Sequence, residues 1–289
     1  MATNLRDAAT VLPLRDMDGS LEVFMVKRNS ALGFMGGVHV FPGGVVDEDD
    51  SLSGWKDALS GYDGERSSQS MEQLAADRTL GYHVAAVREL FEEAGVLLAC
   101  DSSGRVLGGA RDAELVARLG SRRAELAGGA VAFMELLVDE GLKIAADALH
   151  YFAHWITPEP SPKRYDTRFF LAAMPAGQEA DHDRVESVEG GWYEPEQALD
   201  LYLHREIKLA PPTLCALDRV ALHDTVAEAL EAAVALDVVE VKPKISVGED
   251  AVAILYPGDD DYDSGVAVHH SSGRILNRRV MRDGLWVKP

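Results

Sequence analysis

The sequence predicts an α+β protein, and three observations predict it. Residues 8–14 and 21–28 carry strand patterns on either side of a turn at Asp16 to Ser20, where glycine and short polar residues relax the backbone. From Tyr82 to Ala94 the period changes: Val84, Val87 and Phe91 recur at spacings of three and four, as on one face of a helix, and Gly95 stands where a C-terminal cap belongs. From Val238 onward valines and isoleucines alternate with polar residues between turn signals at Pro257-Gly258 and Ser271-Ser272-Gly273, which predicts a small β-rich appendage.

The remaining elements follow in order. Phe34 to Val46 is glycine-rich, and its Phe41-Pro42-Gly43-Gly44 run lets the backbone turn sharply and approach a ligand closely. Asp47-Glu48-Asp49-Asp50 follows at once. Residues 51–79 are mixed and polar, with Trp55 and Tyr62 as anchors, and read as a surface insertion. Two helices are expected over 112–126 and 131–140, split by Gly128-Gly129, then strands over 149–156 and 165–173. Pro195 suits the first turn of a helix running to about Leu203, and a longer helix is expected from Pro212 to Leu236. The division expected is a main domain over 1–237 and an extension over 238–289, with no internal repeat.

Charge narrows the function. Forty-eight acidic residues face 28 lysines and arginines, and the net charge of -20 repels nucleic-acid backbones and anionic lipid surfaces alike. An anionic small substrate meets the same repulsion unless bound cations and placed arginines invert the field locally. Cys100 and Cys215, the only cysteines, suggest neither a disulfide framework nor a zinc site, so a reducing cytoplasm fits best. The first residues lack a basic stretch followed by an apolar core, and no apolar run approaches a membrane span, so a soluble, unprocessed protein is expected.

Arg88-Glu89-Leu90-Phe91-Glu92-Glu93-Ala94-Gly95-Val96 is the most informative stretch. Glu89, Glu92 and Glu93 stand at i, i+3 and i+4, neighbours on one helical face. Like charges there destabilise a helix by about 0.2–0.5 kcal/mol per pair, so the arrangement calls either for a cation or simply for solvent on an exposed helix. Magnesium suits the first case, because it takes oxygen ligands and shares its sphere with substrate phosphates.

Arg88-Glu89-Leu90-x-Glu92-Glu93-x-Gly95-Val96 resembles the second half of the Nudix box at every specified position. The first half is displaced: where the box has its own glycine and glutamate stand Leu74 and Leu80, while Phe41-Pro42-Gly43-Gly44 resembles the loop that opens it. An insertion inside the motif accounts for the displacement. This interrupted box is similar to a branch of Nudix hydrolases that includes the mammalian peroxisomal coenzyme A diphosphatase. Further segments resemble that branch: Phe24 to Arg28, Gly33-Phe34-Met35, His39 to Val45, Arg164 to Phe170, Glu206-Ile207-x-Leu209-Ala210-Pro211-Pro212 and Pro257-Gly258-Asp259. Phe24 to Ser30 agrees only in part with the coenzyme A pattern of sister branches.

The resemblance implies an α/β/α sandwich around a mixed sheet, with water attack on a diphosphate phosphorus. It implies that Glu92 and Glu93 are the principal metal ligands, that Glu89 binds metal or helps activate water, and that Arg88 holds these glutamates in place. The family often adds an acid from a loop ahead of a tryptophan; Glu186, which stands in a Glu-x5-Trp spacing to Trp192 that resembles a family arrangement, is preferred over Glu189, and either also reads as a loop charge. Asp47 is the preferred stand-in for the missing upstream acid of the box, unless the run to Asp50 is only an exposed turn. Gly43 and Gly44 are expected at the substrate. Arg28, Arg164 and Arg168 are expected at phosphates, which guanidinium forks suit, or else on a solvated strand face. Asp259, Asp261 and Asp263 mimic the start of a calcium loop, but Ser264 and His270 occupy its sixth and twelfth positions, which excludes that reading.

The function expected is magnesium-dependent hydrolysis of coenzyme A or acyl-CoA, with manganese as a substitute ion. The alternatives are a diphosphatase for ADP-ribose, NADH or a related nucleotide, because the box supplies chemistry and not substrate choice, and a catalytically silent nucleotide-binding regulator. The partner expected is a small nucleotide diphosphate, not nucleic acid or membrane, and a homodimer stays open.

Overall fold

The computed structural model describes residues 5–31, 35–71, 74–129, 131–159, 161–248, 252–265 and 277–289. Gly33, Phe34, His270 and the Ser271-Ser272-Gly273 turn lie outside the described residues. The chain divides into two compact units, a larger one of Asp7–Ala153 and Arg168–Val238, and a smaller one whose described residues fall within Met1–Arg6, His154–Thr167 and Val239–Pro289.

In the larger unit, strands β1 (Leu5–Met17) and β2 (Ser20–Arg28) form an antiparallel hairpin closing at Met17 and Ser20. Val11, Phe24 and Val26 join the main core, while Leu12, Leu14, Val23 and Met25, which the two-residue period places on the opposite face, are equally buried. A sheet covered on both faces reads as a continuous apolar run, as these strands do. β3 (His39–Val40) pairs with β2, and β4 (Gly43–Val45) lies along β1 with Gly44 opposite Ala9. Next come α1 (Trp55–Ala58), β5 (Leu59–Ser60), α2 (Gly64–Ser70) and the long helix α3 (Ala76–Ala94). β6 (Ala99–Cys100), α4 (Ala113–Ala127), α5 (Phe133–Asp139) and β7 (Lys143–Ala145) follow, and β7 is the centre of a small sheet flanked by β5 and β6. β8 (His150–Ile156) and β9 (Arg164–Ala173), whose residues within His154–Thr167 fall in the smaller unit, and β10 (Ser187–Tyr193) complete the main sheet in the order β10-β2-β1-β9-β8. α6 (Pro195–Leu203), packed on β2, precedes α7 (Pro211–Val220) and α8 (Val226–Val234). The α+β class read from the sequence is the class observed.

Three expectations change. The helix expected from Tyr82 starts at Ala76, and every residue from Thr79 to Arg88 is buried. Its first turn, Ala76, Asp77 and Arg78, is exposed and has no large apolar side chain to extend the stripe of Val84, Val87 and Phe91. The helix expected over 212–236 is two, because Thr225 accepts the Glu228 N–H and the Glu228 carboxylate accepts the Asp224 N–H, side-chain bonds that start a new helix at α8. The segment 51–79, largely exposed or half-buried, is not detached from the interior: Trp55, Leu59 and Met71 are in the main core, with the Trp55 ring 5.6 Å from that of Phe133. β10, for which no strand was expected from the sequence, pairs antiparallel with β2.

In the smaller unit, β11 (Glu240–Val241) runs parallel to β8 at His154 and Trp155. β12 (Lys244–Val247), β13 (Val252–Leu255), β14 (Arg278–Arg282) and β15 (Leu285–Val287) form an antiparallel sheet in that order. The buried Arg278 guanidinium donates from Nε to Asp259 Oδ2 at 2.7 Å and from Nη2 to Asp261 Oδ2 at 2.9 Å, which uses the two aspartates after Pro257-Gly258. Among the described residues no helix is long and apolar enough to cross a membrane.

Candidate functional site

The last turns of α3 bring Arg88, Glu89, Glu92 and Glu93 beneath the Gly43-Gly44 backbone of β4. Gly95 closes the helix at φ 72°, the left-handed conformation that glycine adopts without strain. The Gly43 N–H donates to Glu93 Oε2 at 2.9 Å. A Cβ on Gly44 would fall 2.4 Å from the Glu89 carboxylate, and one on Gly43 would fall 2.4 Å from the Ala9 carbonyl oxygen. Only glycines allow strand and helix to approach this closely.

Arg88 organises the cluster. Its Nη1 donates to Glu89 Oε1 at 2.8 Å and to Glu92 Oε1 at 3.4 Å. Nε and Nη2 reach the two oxygens of Asp50 at 3.0 and 2.8 Å, and Nη2 also reaches the Val45 carbonyl at 2.9 Å. The carboxylates remain undercompensated. Burial pushes Glu93 up to about 8, with the Glu89 charge adding to it and the Gly43 N–H opposing it. Burial pushes Glu89 up to about 7 against the pull of Arg88, and Glu92 moves in the same direction for the same reason. Among the described residues no three acidic, histidine or cysteine side chains already converge as a metal site. The donor chemistry nevertheless fits a hard divalent ion: carboxylate oxygens alone, partly withdrawn from water, whose charged forms a cation would favour.

Arg28 and Glu186 meet beside this cluster, Arg28 Nη2 standing 3.9 Å from Glu186 Oε2, and the charges of both act on Glu93. Arg28 Nε is buried and has no hydrogen-bond partner among the described residues. Glu189 points elsewhere and pairs with Lys27 at 3.2 Å. Two of the arginines expected at phosphates are engaged differently. Arg168 is 1% exposed, with its guanidinium 4.9 Å from the centroid of the Tyr82 ring, so it does not lie on a solvated strand face. Arg164 belongs to the smaller unit and donates from Nε to the Thr157 carbonyl oxygen at 3.1 Å.

A family model for the NUDT19 Nudix domain matches residues 65–220, more than half of the chain. The chain belongs to the Nudix hydrolases. Human acyl-coenzyme A diphosphatase NUDT19 is 27% identical to it over 293 aligned residues, which cover 91% of this chain and 78% of the human protein. Putative nudix hydrolase 7 of Caenorhabditis elegans is 27% identical, with coverage of 92% and 77%. The crystal structure of a NUDIX hydrolase from Alicyclobacillus acidocaldarius superposes with a TM-score of 0.64 at 25% identity, covering 79% of this chain and 96% of that one.

One position of this Nudix site was misread in the sequence. Asp47, expected as the upstream acid, is largely exposed and 3.5 Å from Arg88 Nη2, whereas Asp50 is buried and takes the two-point contact. The available signal was the spacing within the acidic run, since Asp50 Oδ2 accepts the Asp47 N–H across the short turn that follows β4.

Proposed function

We propose that this Nudix hydrolase cleaves the diphosphate of coenzyme A or an acyl-CoA, giving 4'-phosphopantetheine or its acyl form and adenosine 3',5'-bisphosphate. The observation that carries the reading is the alignment with an acyl-coenzyme A diphosphatase over 91% of the chain, which takes in the flanks as well as the box. The oxygen of a water forms a bond to one diphosphate phosphorus while the bridging P–O bond breaks, and the bridging oxygen leaves with the other phosphate.

Glu92 and Glu93 would hold a divalent ion, with Glu89 beside them; magnesium is the ion proposed, with manganese as substitute. Bound there, such an ion neutralises the diphosphate and acidifies a coordinated water. Glu89, beside the proposed ion ligands and held by Arg88, is the carboxylate proposed to take the water's proton. Arg88 keeps Glu89 and Glu92 from swinging apart. The Gly43-Gly44 main chain, brought close to Glu89 and Glu93, would border the substrate, Arg28 offers a guanidinium to a phosphate, and Glu186 restrains Arg28 and adds a carboxylate at the rim.

The test is a product assay with purified protein and magnesium on coenzyme A, a short acyl-CoA, dephospho-coenzyme A, ADP-ribose and NADH. A higher kcat/KM for the coenzyme A compounds, with the two phosphorylated products in equal amounts, supports the reading. A preference for ADP-ribose or NADH overturns the substrate and leaves the hydrolase. Dephospho-coenzyme A reads whether a cation such as Arg28 senses the 3'-phosphate.

A further inference from the structure

Outside the box, one half-buried cation touches both segments that carry the proposed site carboxylates. Arg123, on α4, donates from Nε to the main-chain carbonyl of Glu92 at 2.8 Å and from Nη1 to the carbonyl of Asp181 at 3.0 Å. The Asp181 N–H in turn donates to the Ala94 carbonyl at 3.0 Å. The guanidinium and the Asp181 amide thus take up carbonyls that the end of a helix leaves without intrahelical partners. Room for the guanidinium comes from Gly95, where a Cβ would lie 3.0 Å from Arg123 Nη1.

The segment tied down in this way leads to Glu186. The Asp183 carboxylate accepts the N–H groups of Val185, Glu186 and Ser187 at 3.2, 2.9 and 2.8 Å, and the Glu186 carbonyl accepts the Asn29 N–H at 2.8 Å. Arg184, at the turn, takes a φ of 64°. Two anchors therefore fix the approach to Glu186, one on β2 and one on the end of α3. Arg123 is the only side chain among the described residues seen to donate to both Glu92 and Asp181.

Arg123 makes no ion pair within 4 Å among the described residues, and its Nη2 is buried without a hydrogen-bond partner there. Burial lowers its pKa, and the charges of Asp183, Asp181 and Glu93 oppose that. Withdrawing one nitrogen of this guanidinium from water without a partner has a cost that two ordinary carbonyl bonds only partly offset. What the guanidinium adds is direction: its planar donors fix the Glu92 and Asp181 carbonyls relative to each other.

We propose that Arg123 is a positioning residue for the hydrolase: it holds the Glu92–Glu93 end of α3 and the segment bearing Glu186 in register, so that the divalent-ion ligands and the rim carboxylate face one another. This rests on the functional reading above. Arg123 acts through the main chain of its neighbours and touches neither substrate nor ion.

The test compares wild type with Arg123→Met, which keeps the length and apolar stem, and Arg123→Lys, which can reach one carbonyl but not both. Mn2+ binding to the purified protein without substrate is the first readout. Loss of outer support for metal ligands weakens affinity by about 10- to 100-fold, and that is the change expected in Arg123→Met, with Arg123→Lys between it and wild type. In turnover, kcat falls with KM little changed, and the losses from Arg123→Met and Glu186→Gln combine to less than their product because both act on one arrangement. Wild-type Mn2+ affinity in the folded variants, or a loss of turnover that follows only the fraction folded and multiplies fully with that of Glu186→Gln, overturns the proposal. If Arg123→Met does not fold, the Mn2+ affinity of Arg123→Lys decides on the same terms. If wild type cleaves no diphosphate, the functional reading fails while the Mn2+ titration still decides the role of Arg123.

Discussion

Arg88 and Asp50 meet at two points, Nε to Oδ1 at 3.0 Å and Nη2 to Oδ2 at 2.8 Å, with both side chains nearly out of water. The pair joins the acidic run after β4 to the helix that carries Glu89, Glu92 and Glu93, so the interrupted halves of the box are bridged by an ion pair. Removing one partner leaves a buried charge poorly compensated, which costs about 3 kcal/mol at the lower end of the usual range, since Arg88 keeps Glu89. Asp50→Ala is therefore expected to destabilise strongly and to lower turnover. Asp47→Ala, at an exposed position, should change stability by no more than about 0.5 kcal/mol. Urea unfolding of the two variants side by side checks the contrast, and equal midpoints would remove Asp50 from its role.

Glu93→Gln separates folding from chemistry. The Glu93 carboxylate is buried, and among the described residues the Gly43 N–H donates to it, so a neutral amide of the same shape loses little stability. A neutral amide is a poor ligand for magnesium, so turnover should fall by about a hundredfold or more, equivalent to roughly 3 kcal/mol of transition-state stabilisation. Exhaustive chelation of the wild-type protein should abolish turnover, and magnesium or manganese should restore it. Near-normal rates in folded Glu93→Gln would defeat the metal assignment.

The parts of this site that were legible in the sequence were the parts fixed by local spacing. Glu89, Glu92 and Glu93 could be placed on one helix face because i, i+3 and i+4 positions are neighbours whatever else the fold does. The hairpin of β1 and β2, and the cap at Gly95, were legible for the same reason. What escaped depends on contacts between distant segments. Asp50 and Asp47 look alike in an acidic run, and only the turn after β4 decides which side chain points inward. Arg168 looked available to a phosphate, yet Tyr82, far off in sequence, takes its face. The start of α3 was hidden because Ala76, Asp77 and Arg78 are exposed and carry no large apolar side chain, so the periodicity that reveals the rest of the helix does not reach them.

The two glycines of the loop are expected to fail differently. At Gly43 an added Cβ meets main-chain atoms of Ala9 and Thr10, which cannot move without opening the pairing of β1 with β4. Gly43→Ala should therefore lose stability, by about 1–3 kcal/mol for an overpacked site. At Gly44 the nearest atoms belong to the Glu89 carboxylate, which can rotate away. Gly44→Ala should keep most of its stability and lose turnover, because the displaced carboxylate is the one proposed to take the proton from water. Thermal unfolding and kcat measured together on both variants check this, and a Gly44→Ala protein as active as wild type would remove Glu89 from that role.

The segment 51–79 provides the last prediction, and its direction is opposite to the one a surface insertion would give. Closing a long loop with a short linker costs little, roughly 0.6 kcal/mol per doubling of length, so a detached insertion could be removed harmlessly. Here Trp55 is 2% exposed and Met71 is 1% exposed, both in the main core, and β5 supplies one edge of the sheet built on β7. Trp55→Ala alone should cost about 3–5 kcal/mol, a large part of the 5–15 kcal/mol that holds a typical domain together. Deleting 51–79 removes Trp55, Leu59 and Met71 together and uncovers the helix and strands they pack against. The deletion variant should lose its cooperative unfolding transition and expose apolar surface to a dye that binds it. The Trp55→Ala variant should stay cooperative with a clearly lowered midpoint. A deletion variant that still unfolded in one sharp transition near the wild-type midpoint would show that these side chains fill the core without supporting it.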